Sequence, residues 1–232
     1  MGPPLQKELN SFENNIRDTI LSSLLKISGP AMSISFLEKL AQPRPDPGGG
    51  AAAAYGAGLG LALLEKVVGL ETNRGHQPDE RRRGWQETLK RLRSISETMA
   101  RLQDEDVQAY FNLKRARTAA STAELPAALR EAVRCPLKIV KQVQEALVLM
   151  AWAGAHCRRH LVSDLQVGCE FLGAALLGAN HIACANLHLV QDPGERQALA
   201  GEIFRACQPG RELWQRAKKE LAARGPGLDH CG

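Results

Sequence analysis

Aromatic residues are scarce in this sequence, and no segment alternates apolar and polar residues as a half-buried β-strand does. Phe, Trp and Tyr make up only 4% of the residues, and Ala, Leu and Gly occupy most apolar positions instead. Small side chains allow helices to pack closely, whereas sandwiches and barrels are rich in aromatic and β-branched residues. The sequence therefore predicts an all-α fold, a helical bundle of about six to eight helices with a long central helix and close Gly/Ala-rich packing.

Signals for export, for disulfides and for a membrane span are also weak or missing. None of the six cysteines belongs to a CxxC pair, and several lie within apolar helical patterns, as free thiols in a reducing compartment do. The N-terminus lacks a basic region followed by a continuous apolar stretch. The longest uncharged run, residues 47–64, consists mostly of Gly and Ala and is too weakly apolar to predict a membrane span. These features predict a cytoplasmic protein without a membrane partner.

The formal net charge is +5, with a sequence pI near 9.0. This charge is compatible with nucleic acid or with a small polyanion, such as a polyglutamylated folate. The basic residues are spread along predicted helices with few aromatic residues between them, which favours solvated helix faces over a surface that stacks bases. We therefore expect no nucleic-acid partner.

Helical periodicity accounts for most of the chain. Apolar spacing and helix-terminus signals predict helices over residues 5–28, 35–41, 51–70, 78–117, 123–133, 136–159, 163–190, from 192, and 211–224. Pro136 and Pro209 are interpreted as helix boundaries, because proline lacks the N–H that a helix interior requires. Residues 1–31 are predicted to form an N-terminal amphipathic extension, 32–224 a helical domain and 225–232 a flexible tail.

Glycine is concentrated at the start of the helix predicted over residues 51–70. Gly48, Gly49 and Gly50 precede it, and Ala52, Gly56 and Gly60 recur at every fourth position within it. The recurrence predicts that another helix or a ligand comes unusually close. The glycine triplet either presents backbone N–H groups to an anionic or heterocyclic ligand or forms a bend needed for packing, and both interpretations stay open.

Six groups of residues follow one another along residues 33–190. They are Phe36-Leu-Glu-Lys-Leu-Ala, Pro45-Asp-Pro-Gly-Gly-Gly-Ala-Ala-Ala-Ala, Gly60-Leu-Ala-Leu-Leu-Glu-Lys-Val-Val, Asp106-Val-Gln-Ala-Tyr, Pro136-Leu, and Ser163-Asp164 with Gly178-Ala179 and Asn186-Leu187. In this order they resemble the cyclodeaminase domain of formiminotransferase-cyclodeaminase and its stand-alone bacterial relatives. Residues 32–224 are thus predicted to be a cyclodeaminase-like domain.

The resemblance implies a dimeric helical enzyme that acts, without a metal, on one-carbon groups carried by tetrahydrofolate. One such activity is formiminotetrahydrofolate cyclodeaminase, an ammonia lyase; the other is methenyltetrahydrofolate cyclohydrolase, a C–N hydrolase. Both pass through a tetrahedral carbon between N5 and N10, and such chemistry requires a group that moves a proton. The alternative is a catalytically silent relative that binds a folate-like ligand or a protein partner.

The resemblance also implies site residues, each with a structural alternative. Asp106 is the first choice as proton carrier, followed by Asp164 and Glu65, although an acid on a helix is more often solvated or ion-paired. Ser163 is a candidate for substrate binding or a helix cap, and Asn186 for substrate binding or an interhelical hydrogen bond. The substrate-binding set implied by the resemblance is Pro47, Gly48, Gly49, Gly50, Ser163 and Asn186.

The chain departs from the family pattern in several polar positions. Ala51 stands where relatives have Ser after the glycines, Glu71 where they have Thr, and Ile182 where they have Asn; the segment from Lys114 lacks the usual Pro-Lys. These changes predict an altered substrate choice or lost catalysis. The spacing of His181, Cys184 and His188 on one helix face is compatible with zinc, but no fourth ligand is evident, so no metal is expected.

Overall fold

A computed structural model describes residues 32–119 and 123–225. The chain divides into two compact units, Met1–Arg44 and Pro45–Gly232. In the first unit the described part contains helix α1 (Met32–Leu40). The predicted helix over residues 5–28, the extension 1–31 and nearly all of the tail lie outside the described residues, so these predictions stay predictions.

The second unit is a bundle of long helices. Its described elements are α2 (Gly49–Thr72), α3 (Asp79–Thr118), α4 (Leu125–His156), a 3₁₀-helix (Arg159–Leu161), α5 (Val162–Leu187) and α6 (Pro193–Arg224). Across residues 32–119 and 123–225 there is no β-strand, and six α-helices are present in all. The predicted all-α class and helix number are confirmed, and α3, with 40 residues, is the predicted long helix.

Two predicted helix boundaries are wrong, because α4 continues through Pro136 and α6 continues through Pro209. A proline inside a helix leaves the carbonyl four residues earlier without its usual N–H donor. Side chains of neighbouring helices donate to carbonyls in the turn before each proline. Asn186 Nδ2 donates to the Ala132 carbonyl oxygen at 2.7 Å, and Gln144 Nε2 donates to the Ala206 carbonyl oxygen at 2.5 Å. At Pro136 a tertiary hydrogen bond thus supplies the donor that the proline lacks; at Pro209 the side-chain donor reaches the carbonyl three residues earlier, next to the one that the proline leaves open.

Helices α2 and α5 approach each other through glycine. A Cβ atom added at Gly60 would lie 2.7 Å from the Gly168 carbonyl oxygen, which is closer than such atoms pack. A side chain at position 60 would therefore force the two helix backbones apart and disrupt their packing. The predicted close approach is confirmed at Gly60. At Gly56, one turn earlier, an added Cβ would meet nothing within 4 Å, and this part of the glycine face is open.

The sequence of α2 and the segment Arg159–Leu187 are long and apolar enough to cross a membrane, judged by length and composition alone. Half of the most apolar window of each lies buried inside the bundle. The other half is less completely covered by the chain itself.

Glu71 links the end of α2 to the turn after α4. Its side chain is 2% exposed, and its Oε1 accepts hydrogen bonds from the backbone N–H of Arg158 at 3.0 Å and from the Arg158 Nε at 2.9 Å. Burial raises the pKa of Glu71, but these hydrogen bonds and the charge of Arg158 outweigh burial and hold the pKa below its ordinary value. Glu71 and Arg158 therefore form a structural ion pair, which lies at the end of the bundle remote from the glycine triplet.

Candidate functional site

A cavity of about 160 Å³ lies where the N-terminus of α2 meets the second half of α3 and the end of α5. The residues that line it come from five segments of the second unit, and most are apolar or glycine. They are Pro45, Asp46, Gly48, Gly49, Gly50, Asp106, Val107, Ala109, Tyr110, Leu113, Ala132, Ile182 and Asn186. Three of the predicted glycines, the first-choice acid and the predicted amide thus share one cavity.

The N-terminus of α2 is capped by a side chain from another helix. Gly48 occupies the N-cap position and has no side chain that could accept a hydrogen bond. The Ala51 N–H instead donates to Asp106 Oδ2 at 3.0 Å, so a carboxyl group from α3 closes the first turn. In the part of the chain that the structure describes, no acceptor is seen for the N–H groups of Gly49 and Gly50. These two donors and the helix dipole favour a negatively charged or polar ligand group.

Gly50 has to be glycine for Asp106 to occupy this place. A Cβ atom added at Gly50 would overlap the carboxyl group of Asp106, which packs directly on the Gly50 backbone. The contact brings the glycine triplet and the acid together, although more than fifty residues separate them in sequence. The triplet therefore allows backbone and carboxyl group to meet, and it also starts a helix; the two interpretations of the glycines are compatible.

The environment of Asp106 raises the affinity of its carboxyl group for a proton. Burial raises the pKa of Asp106, and the hydrogen bond from the Ala51 N–H offsets this only in part, so the pKa lies above its ordinary value. Asp104 and Glu105, the neighbouring acids on α3, are exposed, and Glu105 pairs with Lys138 at 3.1 Å. A carboxyl group with a raised pKa in a cavity has the property that a general acid–base requires.

One wall of the cavity is apolar because Ile182 faces the glycine triplet. Ile182 Cδ1 would lie 2.8 Å from a Cβ atom added at Gly49, so this side chain packs closely on the glycine triplet. Tyr110 and Leu113 lie one and two turns after Asp106 on the same side of α3 and also line the cavity. A planar heterocycle would contact apolar groups and a phenol ring here.

Asn186 makes the interhelical hydrogen bond and also lines the cavity; its predicted role in substrate binding stays a prediction. Its Nδ2 donates to the Ala132 carbonyl oxygen at 2.7 Å, which is the interhelical hydrogen bond. The residue also lines the cavity. Because a carbonyl oxygen only accepts hydrogen bonds, this contact fixes which end of the amide faces α4.

A second, basic cavity shares part of its wall with the first. It has a volume of about 460 Å³ and is lined by Lys114, Arg117, Thr118 and Leu189, together with Tyr110, Leu113 and Asn186 from the first cavity. Within residues 32–119 and 123–225, no ion pair involves Lys114 or Arg117. We call it the basic groove. It offers two cations to an anionic part of a ligand that extends out of the first cavity.

The other predicted site residues lie elsewhere. Asp164 and Asn186 are both on α5 but about six turns apart, roughly 33 Å along the helix, and Asp164 Oδ2 pairs with Lys66 at 2.9 Å. Ser163 is exposed beside Asp164, inside the first turn of α5, and does not cap it. Glu65 lies about four turns after Gly50 on α2 and pairs with Arg93 at 3.4 Å. The structure thus does not bring these three residues to the cavity.

Pro47 was predicted to bind substrate, and several residues that were not predicted lie in the cavity wall. Pro47 follows a cis peptide bond after Asp46 and adjoins the cavity, although its own side chain is not part of the wall. Asp46, Tyr110 and Ala132 line the cavity but were not predicted. Tyr110 could have been found from its spacing of four residues from Asp106, which places both on one side of a helix. Ala132 carries no polar side chain and therefore gives no sequence signal.

Metal ligands do not cluster in the described part of the chain. There, no group of three or more His, Cys, Asp or Glu is arranged to hold a metal ion. His181 and His188 are exposed, and Cys184 Sγ donates weakly to Asn180 Oδ1 at 3.9 Å. Among the described residues, the helical spacing of these three side chains therefore does not produce a ligand set.

Comparison with known proteins places the chain in a family. A comparison with curated proteins gave no match. Among solved structures, the fold is similar to the crystal structure of formiminotetrahydrofolate cyclodeaminase from Thermotoga maritima, with 21% sequence identity and a TM-score of 0.75 over 81% of this chain and 94% of that chain. The family described as formiminotransferase-cyclodeaminase matches residues 33–204. With the match covering most of the chain, this protein belongs to the formiminotransferase-cyclodeaminase family.

Proposed function

We propose that this protein is a folate-dependent one-carbon enzyme that closes 5-formiminotetrahydrofolate to 5,10-methenyltetrahydrofolate with loss of ammonia. The observation that carries the proposal is the Asp106 carboxyl group, which has a raised pKa and lies in a cavity at the glycine-rich N-terminus of α2. The family assignment and the similar fold of a formiminotetrahydrofolate cyclodeaminase support the same substrate class.

The reaction requires one proton to move between two nitrogens. N10 attacks the formimino carbon, a tetrahedral carbon forms between N5 and N10, and the bond from this carbon to the departing nitrogen then breaks. Asp106 as carboxylate accepts the proton of N10 and delivers it to the departing amine, which leaves as ammonia. The protonated formimino group and the methenyl product carry the same charge, so no further proton is consumed. A carboxyl group with a raised pKa suits both transfers.

The cavity at Asp106 and the basic groove would bind different parts of such a substrate. The apolar wall formed by Ile182 and Tyr110 would contact the pterin ring, and the open N–H groups of Gly49 and Gly50 would donate to its polar edge. The basic groove, with Lys114 and Arg117, would hold the carboxylates of the glutamate tail. Both cations come from the segment that departs from the family pattern, so this chain would bind the tail with residues of its own.

We propose further that the protein is a homodimer. Leu59, Val167 and Phe171 are 41%, 52% and 37% exposed, and they stand next to the residues through which α2 and α5 contact each other. Val167 and Phe171 are four residues apart and so share one side of α5, and exposed apolar side chains of this size are typical of a subunit interface. The same helices carry cavity residues, and a cavity of about 160 Å³ is small for a folate, so a second subunit would extend it.

Substitution of one exposed valine tests the dimer. Val167→Asp should shift the protein from dimer to monomer in light scattering coupled to gel filtration, because it buries a charge in the interface. Val148→Asp is the matched control, since Val148 is 44% exposed on α4. A wild-type monomer, or equal effects of both substitutions, would contradict the assignment of this face.

A cytoplasmic location completes the proposal. The five cysteines of the described residues are free, and burial raises the pKa of Cys135 and of Cys169 to about 12. Such thiols are inert and fit a reducing compartment. Fractionation of cells that express the full chain would test this location.

A catalytically silent relative is the second candidate, because Ile182 places an apolar side chain against the glycines where the family pattern has an amide. The purified protein should be incubated with 5-formiminotetrahydrofolate, and methenyl absorbance and released ammonia should be followed together. Equal yields of both support cyclodeaminase. Turnover of methenyltetrahydrofolate alone would indicate cyclohydrolase, saturable folate binding without turnover the silent relative, and neither binding nor turnover would reject the folate function.

A further inference from the structure

Pro136 interrupts the hydrogen-bond ladder of α4 at the wall of the cavity. Proline has no N–H, so the carbonyl oxygen four residues earlier, that of Ala132, lacks the donor that bonds it in a regular α-helix. Ala132 lines the cavity. The proline therefore exposes a backbone acceptor at the one place on α4 where the helix borders the candidate site.

Asn186 uses this acceptor. Its Nδ2 donates to the Ala132 carbonyl oxygen at 2.7 Å, and both residues line the cavity. The contact fixes the orientation of the carboxamide, because only the amide nitrogen can donate to a carbonyl. The other end, Oδ1, accepts no hydrogen bond from the described residues and is the atom left to bind a ligand.

We infer that Pro136 is a positioning residue: it frees the Ala132 carbonyl, which holds the Asn186 amide so that Oδ1 accepts an N–H of the substrate's heterocycle. The inference rests on the proposed function for the identity of the substrate, but the arrangement itself stands on the three residues. With an Ala at position 136, the new backbone N–H would donate to the same carbonyl oxygen along the helix axis and draw it towards the axis, which weakens the hydrogen bond from Asn186. The amide would then lose its fixed orientation.

The chain contains a second proline of the same kind, which serves as a control. Pro209 lies inside α6, and Gln144 donates to the carbonyl of Ala206 in the preceding turn. Neither Gln144 nor Ala206 lines the cavity that contains Asp106. Pro209 is thus a proline inside a helix that has no contact route to the cavity, although its side-chain donor bonds the carbonyl three rather than four residues earlier.

Kinetics of Pro136→Ala test the functional part. Ala is a better helix residue than Pro, so the variant should fold with a melting temperature at or above that of the wild type. We expect kcat/KM to fall by about 5- to 30-fold, the range for loss of one oriented hydrogen bond. Asn186→Ala should show a similar fall, and the double variant should be no worse than Asn186→Ala alone, because both changes remove the same contact. Pro209→Ala should keep wild-type kinetics.

The side-chain amide of Asn186 provides a readout that does not depend on activity. In ¹⁵N NMR spectra of the full chain, its NH₂ protons should exchange slowly in the wild type and at least tenfold faster in Pro136→Ala, but not in Pro209→Ala. Unchanged exchange would overturn the geometry. Additive losses in the double variant, or wild-type kcat/KM in Pro136→Ala, would overturn the positioning role. Absence of folate binding and turnover in the wild type would reject the proposed function and the substrate-orienting role, while the exchange result would still decide the arrangement.

Discussion

Replacing Asp106 with Asn keeps the shape of the side chain but removes the group that exchanges a proton. General acid–base groups contribute about 10²- to 10⁴-fold to a rate, which corresponds to about 3–5.5 kcal/mol in the barrier. We therefore expect kcat of Asp106→Asn to fall by about that factor. Substrate binding should change little, because the amide oxygen can still accept the Ala51 N–H that Asp106 Oδ2 accepts in the wild type.

The same substitution should not destabilise the protein at neutral pH. Burial raises the pKa of Asp106 above its ordinary value, so the ionised carboxylate lowers the stability of the folded state. Protonated Asp106 contributes to the free energy of unfolding. This contribution is fully present below the pKa of the unfolded chain and is lost as the pH rises through the raised pKa of the folded protein. Asn does not ionise, so Asp106→Asn keeps a neutral side chain at every pH and avoids this loss of stability. Its melting temperature should equal or exceed that of the wild type at pH 7, and the relative gain should disappear in acid.

The assay is the appearance of methenyl absorbance and ammonia across pH. For the wild type, kcat/KM should fall on the acid side at a pH above the ordinary range of an aspartate, because the carboxylate must be free to accept a proton. This fall of kcat/KM on the acid side should be absent in Asp106→Asn. Asp104→Asn, an exposed acid two residues earlier on α3, is the matched control. Wild-type kcat in Asp106→Asn, or an equal loss in Asp104→Asn, would refute the reasoning.

Two further substitutions test the glycine contact and the ion pair at the other end of the bundle. Gly50→Ala should displace Asp106 and lower kcat at least tenfold, whereas Gly69→Ala, where an added Cβ meets nothing within 4 Å, should keep activity and raise stability by up to about 1 kcal/mol in denaturant unfolding. Equal activity of the two variants would contradict the contact. Glu71→Gln should lower the free energy of unfolding at pH 7 by about 1.5–3 kcal/mol through lost charged hydrogen bonds to Arg158. Because the folded pKa of Glu71 is lowered, this difference should persist above the unfolded pKa and shrink as pH falls through the folded pKa; a pH-independent difference would contradict the ion pair.

The three predicted acids have different surroundings in the fold, and the local sequence does not predict these surroundings. Asp106, Asp164 and Glu65 are all acids on helices within matching motifs, and nothing in their neighbours along the chain separates them. In the fold, Asp164 and Glu65 pair with Lys66 and Arg93, whereas Asp106 packs on Gly50. Their surroundings come from other helices, so the distinction is a property of packing.

The sequence by itself determined the all-α class, the long helix α3 and the close approach at Gly60, because apolar periodicity and the absence of a side chain act over a few residues. Only the tertiary structure decided that α4 and α6 pass through their prolines. At Pro136 the donor that replaces the missing N–H, Asn186, lies on another helix. The meeting of Asp106 with the first turn of α2 was decided in the same way. Helix periodicity states which side of a helix is apolar, but the partner of that side depends on how the long helices align with one another.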